Sequence, residues 1–285
     1  MARYLKPDAI IENVEKMVIE PFADLAPILV IITKGDNAPA GEKSYFKQLQ
    51  KNADKYGVEV HSITPTNVAD VICQVGAWKT NPRCAGILNI SSFGYDIDRE
   101  IANIIPPRLD VDCSSDQSYG MLVMSNSAMA YRLAPCTAAA CYKILEYEKI
   151  PLEGKSVGIV GRSIRVGKPL AEILTKKDAT VTLYHSKSGI PDLTIHDIVV
   201  VATGAYNELD PCQFRPGQIV IDVGINCVDG KIVGDLDTEK IAGALGSSGM
   251  ITPAPGCVGP ITNVLLFAKL FTNRAIMTGR LNERL

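Results

Sequence analysis

The chain has 285 residues, a length that suits two domains with a hydrophobic core each. Apolar residues make up 47% and charged residues 21%, and the formal net charge of −2 argues against a nucleic-acid or membrane-surface partner. No apolar run approaches the roughly 20 residues of a membrane-spanning helix. The N-terminus is charged and helix-like from the start, so we expect no cleaved leader and a cytoplasmic protein.

The eight cysteines are scattered, without a CxxC pair or a nearby histidine cluster. This pattern is typical of reduced, mostly buried thiols, and we expect no metal site.

Strand and helix patterns alternate through the first half of the chain. Residues 8–24 have helical spacing, "APILVIIT" (26–33) and "CAGILNI" (84–90) are buried strands, and "VEVHSIT" alternates as a strand does. The helices are "SYFKQLQKNADKYG", which ends at Gly57, and "VADVICQVGAWKT". The stretch 106–134 is irregular. This alternation predicts a parallel sheet with crossover helices.

A second α/β unit follows a helix that runs from about Thr137 to Tyr147 and a break at "PLEGK". Its strands are "SVGIVG", "ATVTLYH", "DIVVVATG" and "GQIVIDVGI", and its first helix is "VGKPLAEILTKKD". The apolar helix 260–273 is expected to pack back on the first domain. We therefore predict an α/β fold of two domains, the second Rossmann-like.

The strand–turn–helix segment "KSVGIVGRSIRVGKPLAEIL" (155–174) is typical of a phosphate site. Gly161 ends the strand and Gly167 begins the helix, so the turn can aim backbone N–H groups and a helix N-terminus at a pyrophosphate. Arg162 and Ser163 add a charge and a hydroxyl. A plain strand–helix connection is the alternative for such a turn.

The next strand ends in "YHSKS" (184–188), beside the turn, where an adenosine ribose would lie. An acidic residue there would bind the 2′-hydroxyl of NAD. Ser186 and Lys187 stand there instead, which favours the 2′-phosphate of NADP over NAD.

An ordered series of motifs covers the chain: "PPRLDVD", "APCTAAACYKIL", "GRSIRVGKPLAEIL", "ATVTLYHSKS", "VVVATG", "IVIDVGIN", "GKIVGDLD" and "ITPAPGCVGPIT". It resembles the methylenetetrahydrofolate dehydrogenase/cyclohydrolase family. The resemblance implies hydride transfer from a methylene-tetrahydrofolate to a nicotinamide, and a homodimer formed through the second domain. It also implies two α/β domains with a cleft between them: a folate domain of 1–147 joined by 260–285, and a cofactor domain of 148–259. The residues implied to bind the cofactor are Gly161, Arg162, Ser163, Gly167, Ser186, Thr203, Gly204 and Ile225.

The family carries a Tyr-x-x-x-Lys pair on its first crossover helix, and its lysine, paired with a glutamine, assists the hydrolysis of the methenyl product. Here Tyr45 is followed four residues later by Leu49, which can neither donate nor accept a proton. Lys47 and Lys51 point elsewhere on a helix. We therefore expect cyclohydrolase activity to be lost or impaired.

The glutamine is missing too, because the family's Gln-Leu-Pro-Leu-Pro appears as "NISSFG" (89–94), with Asn89 or Ile90 in its place. The family's Lys-Asp-Val-Asp-Gly appears as "LDVDC" (109–113). By resemblance, Asp112 holds the pterin amino group, and a loop-capping aspartate is the alternative. Tyr45 is implied as the other catalytic and substrate-binding residue, with a half-buried core tyrosine as its alternative.

The segment "TPAPGCVGP" (252–260) is expected to bend through Pro255 and Gly256, both implied to contact substrate. Cys257 replaces a family glycine, so it is strained if that position needs a positive φ and fills space otherwise. Arg165 replaces an apolar family residue, either as a surface arginine or as extra charge near the diphosphate. We expect His61 and His196 at the surface or at a boundary.

Three interpretations follow. The first is an NADP-linked methylenetetrahydrofolate dehydrogenase without cyclohydrolase activity. The second is a non-catalytic relative that binds nucleotide or folate as a regulator or subunit. The third is a dehydrogenase that acts on another substrate.

Overall fold

A computed structural model describes residues 1–126, 131–189 and 192–282 of the chain. Its contacts divide the chain into two compact units, Met1–Ile11 with Ser125–Thr262, and Glu12–Met124 with Asn263–Leu285. The predicted division at residues 147/148, which concerned folate and cofactor binding, stays a prediction. The segment after residue 262 groups with the first half of the chain, as the sequence predicted for the last helix.

Eleven strands are seen in the described residues. They are β1 (Arg3–Tyr4), β2 (Ile28–Ile32), β3 (Glu59–Ile63), β4 (Cys84–Asn89), β5 (Ser156–Val160), β6 (Thr180–Tyr184), β7 (Ile198–Val201), β8 (Ile219–Asp222), β9 (Asn226–Val228), β10 (Lys231–Val233) and β11 (Met250–Ile251). Six form one parallel sheet in the order β1-β11-β8-β7-β5-β6. Three form a second parallel sheet, β3-β2-β4, and β9 and β10 make an antiparallel hairpin.

The helices cross between these strands. They are α1 (Asp8–Val14), α2 (Ala40–Tyr56), α3 (Val68–Thr80), α4 (Tyr95–Ile104), α5 (Asp116–Met124), α6 (Cys136–Tyr147), α7 (Gly167–Thr175), α8 (Thr238–Leu245) and α9 (Val258–Met277). After α1 the chain continues as a π-helix (Glu15–Ile19) and a 3₁₀-helix (Glu20–Leu25). Gly57, at φ 69°, ends α2 as the sequence predicted.

The predicted α/β class with parallel sheets is confirmed. Its strands are recognisable because their residues are buried on both faces: every residue of β2 and β7 is buried. The sequence missed α4, α5, α8 and the β9–β10 hairpin. One of these missed helices, α5, lies within the stretch 106–134 that the sequence predicted as irregular.

All eight cysteines are free thiols, and five of them are buried. No group of metal-ligating side chains occurs among the described residues. Within those same ranges, no helix is long and apolar enough to cross a membrane.

Candidate functional site

Four parallel strands of the larger sheet end side by side. Val160 of β5 is level with Tyr184 of β6 and Val201 of β7, and Val201 is level with Asp222 of β8. The loops that follow these four strands form what we call the six-strand edge. In open α/β sheets, ligands bind beyond the carboxyl ends of the strands, where the strand order reverses. Here that point lies between β5 and β7.

The turn after β5 depends on two glycines. Gly161 has a φ of 125°, and a Cβ on it would overlap the carbonyl oxygen of Ala202. A Cβ on Gly167 would overlap the carbonyl oxygen of Gly161. The chain therefore folds back on itself before α7 in a way that only glycine permits.

The polar side chains predicted for this turn lie at its surface. Arg162 and Ser163 are exposed, and so is Ser186 at the end of β6. The Gly161 N–H donates to the Tyr184 carbonyl at 2.9 Å, which ties the two strand ends together. The predicted neighbourhood of the turn and "YHSKS" is therefore confirmed. The Ser163 hydroxyl accepts the Val166 N–H at 3.1 Å, so it also holds the turn.

A buried carboxylate, Asp235, organises the loop after β7. Its Oδ2 accepts the N–H groups of Thr203 and Gly204 at 2.6 and 3.1 Å, and its Oδ1 accepts the Asn226 amide at 2.8 Å. Because the side chain is buried, these charge-assisted bonds compensate its lost hydration. They fix the backbone at two positions that the sequence implied for cofactor contact.

A second buried carboxylate, Asp222, ends β8. Its Oδ1 accepts the N–H groups of Gly224 and Asp235, and its Oδ2 accepts that of Leu236, each at 3.0 Å. Burial raises the pKa of Asp222 to about 6, although these backbone bonds act in the opposite direction. Asp222 thereby joins the loop after β8 to the loop after the β9–β10 hairpin.

His196 is buried, so the prediction of a surface or boundary position is wrong. Its Nδ1 lies 2.8 Å from the Ser156 hydroxyl and its Nε2 lies 2.8 Å from the Tyr184 hydroxyl. Burial lowers the pKa of His196, because the charged form is desolvated. These partners lie 40 and 12 residues away, which is why the local sequence gave no sign of them.

The remaining predicted contacts of this unit are exposed. Ile225, in the loop after β8, is 68% exposed, and Pro255 and Gly256 are exposed in the loop before α9. Cys257 is fully buried and outside the positive-φ residues, so its thiol fills space without strain. Burial raises the pKa of Cys257 to about 12, with Glu148 and Asp8 adding to the effect, which opposes a nucleophilic role.

The other unit presents the carboxyl ends of β2, β3 and β4, which we call the three-strand edge. Tyr45 is half-buried on α2, and Leu49, one turn on, is fully buried. Lys47 and Lys51 are both exposed. Position 49 therefore faces the core of this unit, and the nearby lysines do not share its environment.

A polar pair that the sequence did not single out lies at this edge. The buried Ser91 hydroxyl donates to Glu42 Oε2 at 2.5 Å and accepts the Lys34 N–H at 2.9 Å. Glu42 is on the first turn of α2, three residues before Tyr45, so both share one face of the helix. Asn89, the last residue of β4, is half-buried, and its Oδ1 accepts the Ser91 N–H at 3.2 Å.

The segment "LDVDC" runs beside β4 through a parallel bridge between Asp110 and Ile87. Asp110 caps the following turn, since its carboxylate accepts from both N–H and Oγ of Ser114 and from the Ser115 N–H. Asp112 is half-buried. The Lys269 ammonium, from α9, donates to the Val111 carbonyl at 3.1 Å.

Several functional candidates were missed from sequence. Asp222 follows directly after the apolar run "IVI" and Asp235 after a glycine, and such a placement could have marked both as buried acids. Glu42 and Ser91 are 49 residues apart, and only the fold brings them together.

Known proteins match this chain over nearly its whole length. Residues 135–277 match the family model described as "Tetrahydrofolate dehydrogenase/cyclohydrolase, NAD(P)-binding domain". The "Bifunctional protein FolD" of Thermotoga maritima is 38% identical over 265 residues, which is 90% of this chain and 89% of that protein.

Solved structures agree. The bifunctional methylenetetrahydrofolate dehydrogenase/cyclohydrolase of Campylobacter jejuni has a TM-score of 0.82 at 30% identity, covering 96% of both chains. The Trypanosoma brucei dehydrogenase-cyclohydrolase, solved with NADP and an inhibitor, has a TM-score of 0.82 at 26% identity over 98% of both chains. With sequence and fold matched along both units, the chain belongs to the tetrahydrofolate dehydrogenase/cyclohydrolase family.

Proposed function

We propose that this chain is an NADP-dependent methylenetetrahydrofolate dehydrogenase whose cyclohydrolase activity is lost or impaired. The proposed NADP-dependent dehydrogenase activity rests on the six-strand edge. There, Arg162, Ser186, Gly204 and Ile225 are all exposed beyond the ends of neighbouring strands. This is where a dinucleotide lies in a doubly wound sheet.

The residues present fit NADP. Gly204, at φ 71°, has open space around its Cα, so a ligand can approach its backbone closely. Arg162 and Ser186 would hold the 2′-phosphate. The turn that contains Gly161, Ser163 and Gly167 would hold the pyrophosphate. Thr203 and Ile225 would lie at the nicotinamide end. When bound, NADP supplies the acceptor for the hydride. The protein's part is to position donor and acceptor.

The substrate side rests on Tyr45 and Asp112, which we propose as the catalytic and substrate-binding residues of the three-strand edge, with Pro255 and Gly256 as further contacts. Asp112, as a carboxylate, suits the donor edge of a pterin.

The proposed loss of cyclohydrolase activity rests on position 49 and on position 89 or 90. Leu49 is apolar and fully buried, and the Asn89 amide oxygen already accepts a backbone N–H. Because Leu49 supplies no amine, the amine–amide pair that assists hydrolysis cannot form. Hydride transfer needs geometry more than a base, so the dehydrogenase step can survive this loss.

The purified protein given methylenetetrahydrofolate should reduce NADP, followed spectroscopically, and should reduce NAD more slowly. Binding of NADP and of tetrahydrofolate without turnover would instead support a non-catalytic regulator or subunit. Binding of NADP alone would point to a dehydrogenase acting on another substrate.

We also propose that the protein is a cytoplasmic homodimer formed through the unit that holds the six-stranded sheet, with a two-fold symmetric contact. In support, β6 is the outermost strand of that sheet, and three of its five residues are exposed. Sedimentation at micromolar concentration should give about twice the 30.7 kDa chain mass. A single species at the chain mass would refute the dimer.

A further inference from the structure

Among the described residues, one buried polar side-chain atom has no hydrogen-bond partner: Oδ1 of Asn263. The residue is 6% exposed and lies in the second turn of α9. An unsatisfied buried amide is costly, and native proteins keep such groups mainly where they have a use.

The face of α9 that carries Asn263 is turned toward the smaller sheet. Residues 263, 267, 270 and 274 recur at helical spacing on one side of α9. Phe267 packs on Tyr56 with ring centroids 5.2 Å apart, and Leu270 packs against Gly86. Asn263 is therefore the polar end of an otherwise packed stripe.

The direction of α9 places Asn263 at the three-strand edge. Arg274 donates to the Pro82 carbonyl and Asn273 to the Ala85 carbonyl, at 2.8 and 3.0 Å, and Leu270 contacts Gly86. The residue numbers along α9 decrease as those of its contacts at residues 82–86 increase, so α9 runs antiparallel to β4.

Seven residues of helix from Leu270 to Asn263 span about 10.5 Å. Three residues of strand from Gly86 to Asn89 span about 10 Å. Asn263 therefore lies level with the carboxyl end of β4, the end at which α/β sheets bind their ligands.

We propose that Asn263 is a substrate-binding residue: its Oδ1, which is covered in this structure, becomes exposed by rotation of the side chain and then accepts an N–H of the pterin ring of bound folate. This rests on the proposed function and adds to it a contact from the last helix. The chain lacks the family's glutamine at the end of β4, and Asn263 supplies an amide at the same level of the sheet. An acceptor oxygen suits the N–H groups along a pterin edge.

The test is Asn263→Leu, which keeps the size of the side chain and removes its polarity. The apo protein should gain about 2–8 °C in Tm, because an unpaired buried amide is removed. Tetrahydrofolate should bind about 10- to 100-fold more weakly by calorimetry, because its N–H loses its acceptor. The Kd for NADP should not change.

Asn273→Leu is the matched control, since it removes an asparagine of the same helix that already donates to the Ala85 carbonyl. It should lower Tm and leave folate affinity unchanged. Asn263→Val, which is shorter, replaces the leucine variant if the latter does not fold.

Two failures can be told apart. If the unmodified protein binds tetrahydrofolate and Asn263→Leu binds it equally well, this inference is wrong and the proposed function stands. If the unmodified protein binds no tetrahydrofolate, the folate function fails, and the proposed contact fails with it.

Discussion

The two strand edges of this molecule are built in different ways. At the six-strand edge, backbone groups are held by buried carboxylates and by glycines that leave no room for a side chain. At the three-strand edge, the distinctive groups are side chains: Tyr45, Glu42, Ser91, Asp112 and Asn263. A site that contacts its ligand through backbone groups tolerates few substitutions in the loops that position them. A site that uses side chains can change its chemistry by single substitutions.

The largest expected effect tests this contrast at the three-strand edge. If the proposed loss of cyclohydrolase activity is correct, the protein should not hasten hydrolysis of methenyl-tetrahydrofolate above buffer, because it would lack general acid–base help worth about 10²- to 10⁴-fold. Leu49→Lys alone should restore little, since it buries an unpaired amine. Leu49→Lys combined with Asn89→Gln, or with Ile90→Gln, should do better than either change alone.

Rapid hydrolysis by the unmodified protein would contradict the proposed loss of cyclohydrolase activity at the three-strand edge. The Glu42–Ser91 pair would then be the first group to examine, because it is a hydrogen-bonded acid and hydroxyl on the Tyr45 face of α2. Glu42→Gln should abolish that hydrolysis if the carboxylate carries it. Lys47 and Lys51, both exposed, come second.

The next effect tests the six-strand edge. Asp235→Ala removes the acceptor of the Thr203 and Gly204 N–H groups and one of the two acceptors of the Asn226 amide, which keeps its bond to the Gly234 carbonyl. Each lost charge-assisted bond is worth about 1.5–3 kcal/mol, so NADP should bind roughly 100-fold or more weakly, and urea should unfold the protein earlier.

Asp237→Ala is the comparison for that variant. Asp237 caps α8 through the Lys240 N–H, so its loss should cost about 1 kcal/mol of stability and leave NADP affinity unchanged. Equal NADP affinity in both variants would mean that the carboxylate does not position the loop for the cofactor.

Arg162→Ala should weaken NADP by about 1.5–3 kcal/mol, or roughly 10- to 100-fold, and barely affect NAD. Arg165→Ala, in the same exposed turn, should change neither affinity if it is a surface arginine. Titration of both nucleotides against the three proteins decides the point. Tighter NAD than NADP in the unmodified protein would show that the 2′-phosphate pocket is misassigned.

The smallest effect is a pH dependence. The pKa of Asp222 is raised to about 6 in the folded protein, above the value near 3.9 of an unfolded aspartate. Asp222 therefore binds a proton at a higher pH in the folded protein than in the unfolded chain. As the pH falls from 7 to 5, this difference should raise the free energy of unfolding by about 1 kcal/mol. Urea unfolding of Asp222→Asn should lack that gain. An identical pH profile in the two proteins would contradict it.

The sequence predicted strands β2 to β8 and the glycine turn because these leave local signals, namely apolar or alternating runs and glycine at strand–helix junctions. It missed α4, α5 and α8, which are only 10, 9 and 8 residues long and so carry few turns of helical periodicity. Asp235 and His196 are hydrogen-bonded to residues from distant elements. The Asn263 Oδ1 is buried without a hydrogen-bond partner. Local patterns cannot supply that information.

The two carboxylates of the six-strand edge also constrain how this protein can evolve. A Cβ on Gly224 would overlap the Asp235 carboxylate, and a Cβ on Gly234 would overlap that of Asp222. Each acid occupies the space that a glycine of the opposite loop leaves empty. No member of either pair can be replaced in a single step without a clash or an unpaired backbone group, so the four positions should vary together or not at all. A combinatorial library at these four positions, selected for function, should return them as linked pairs.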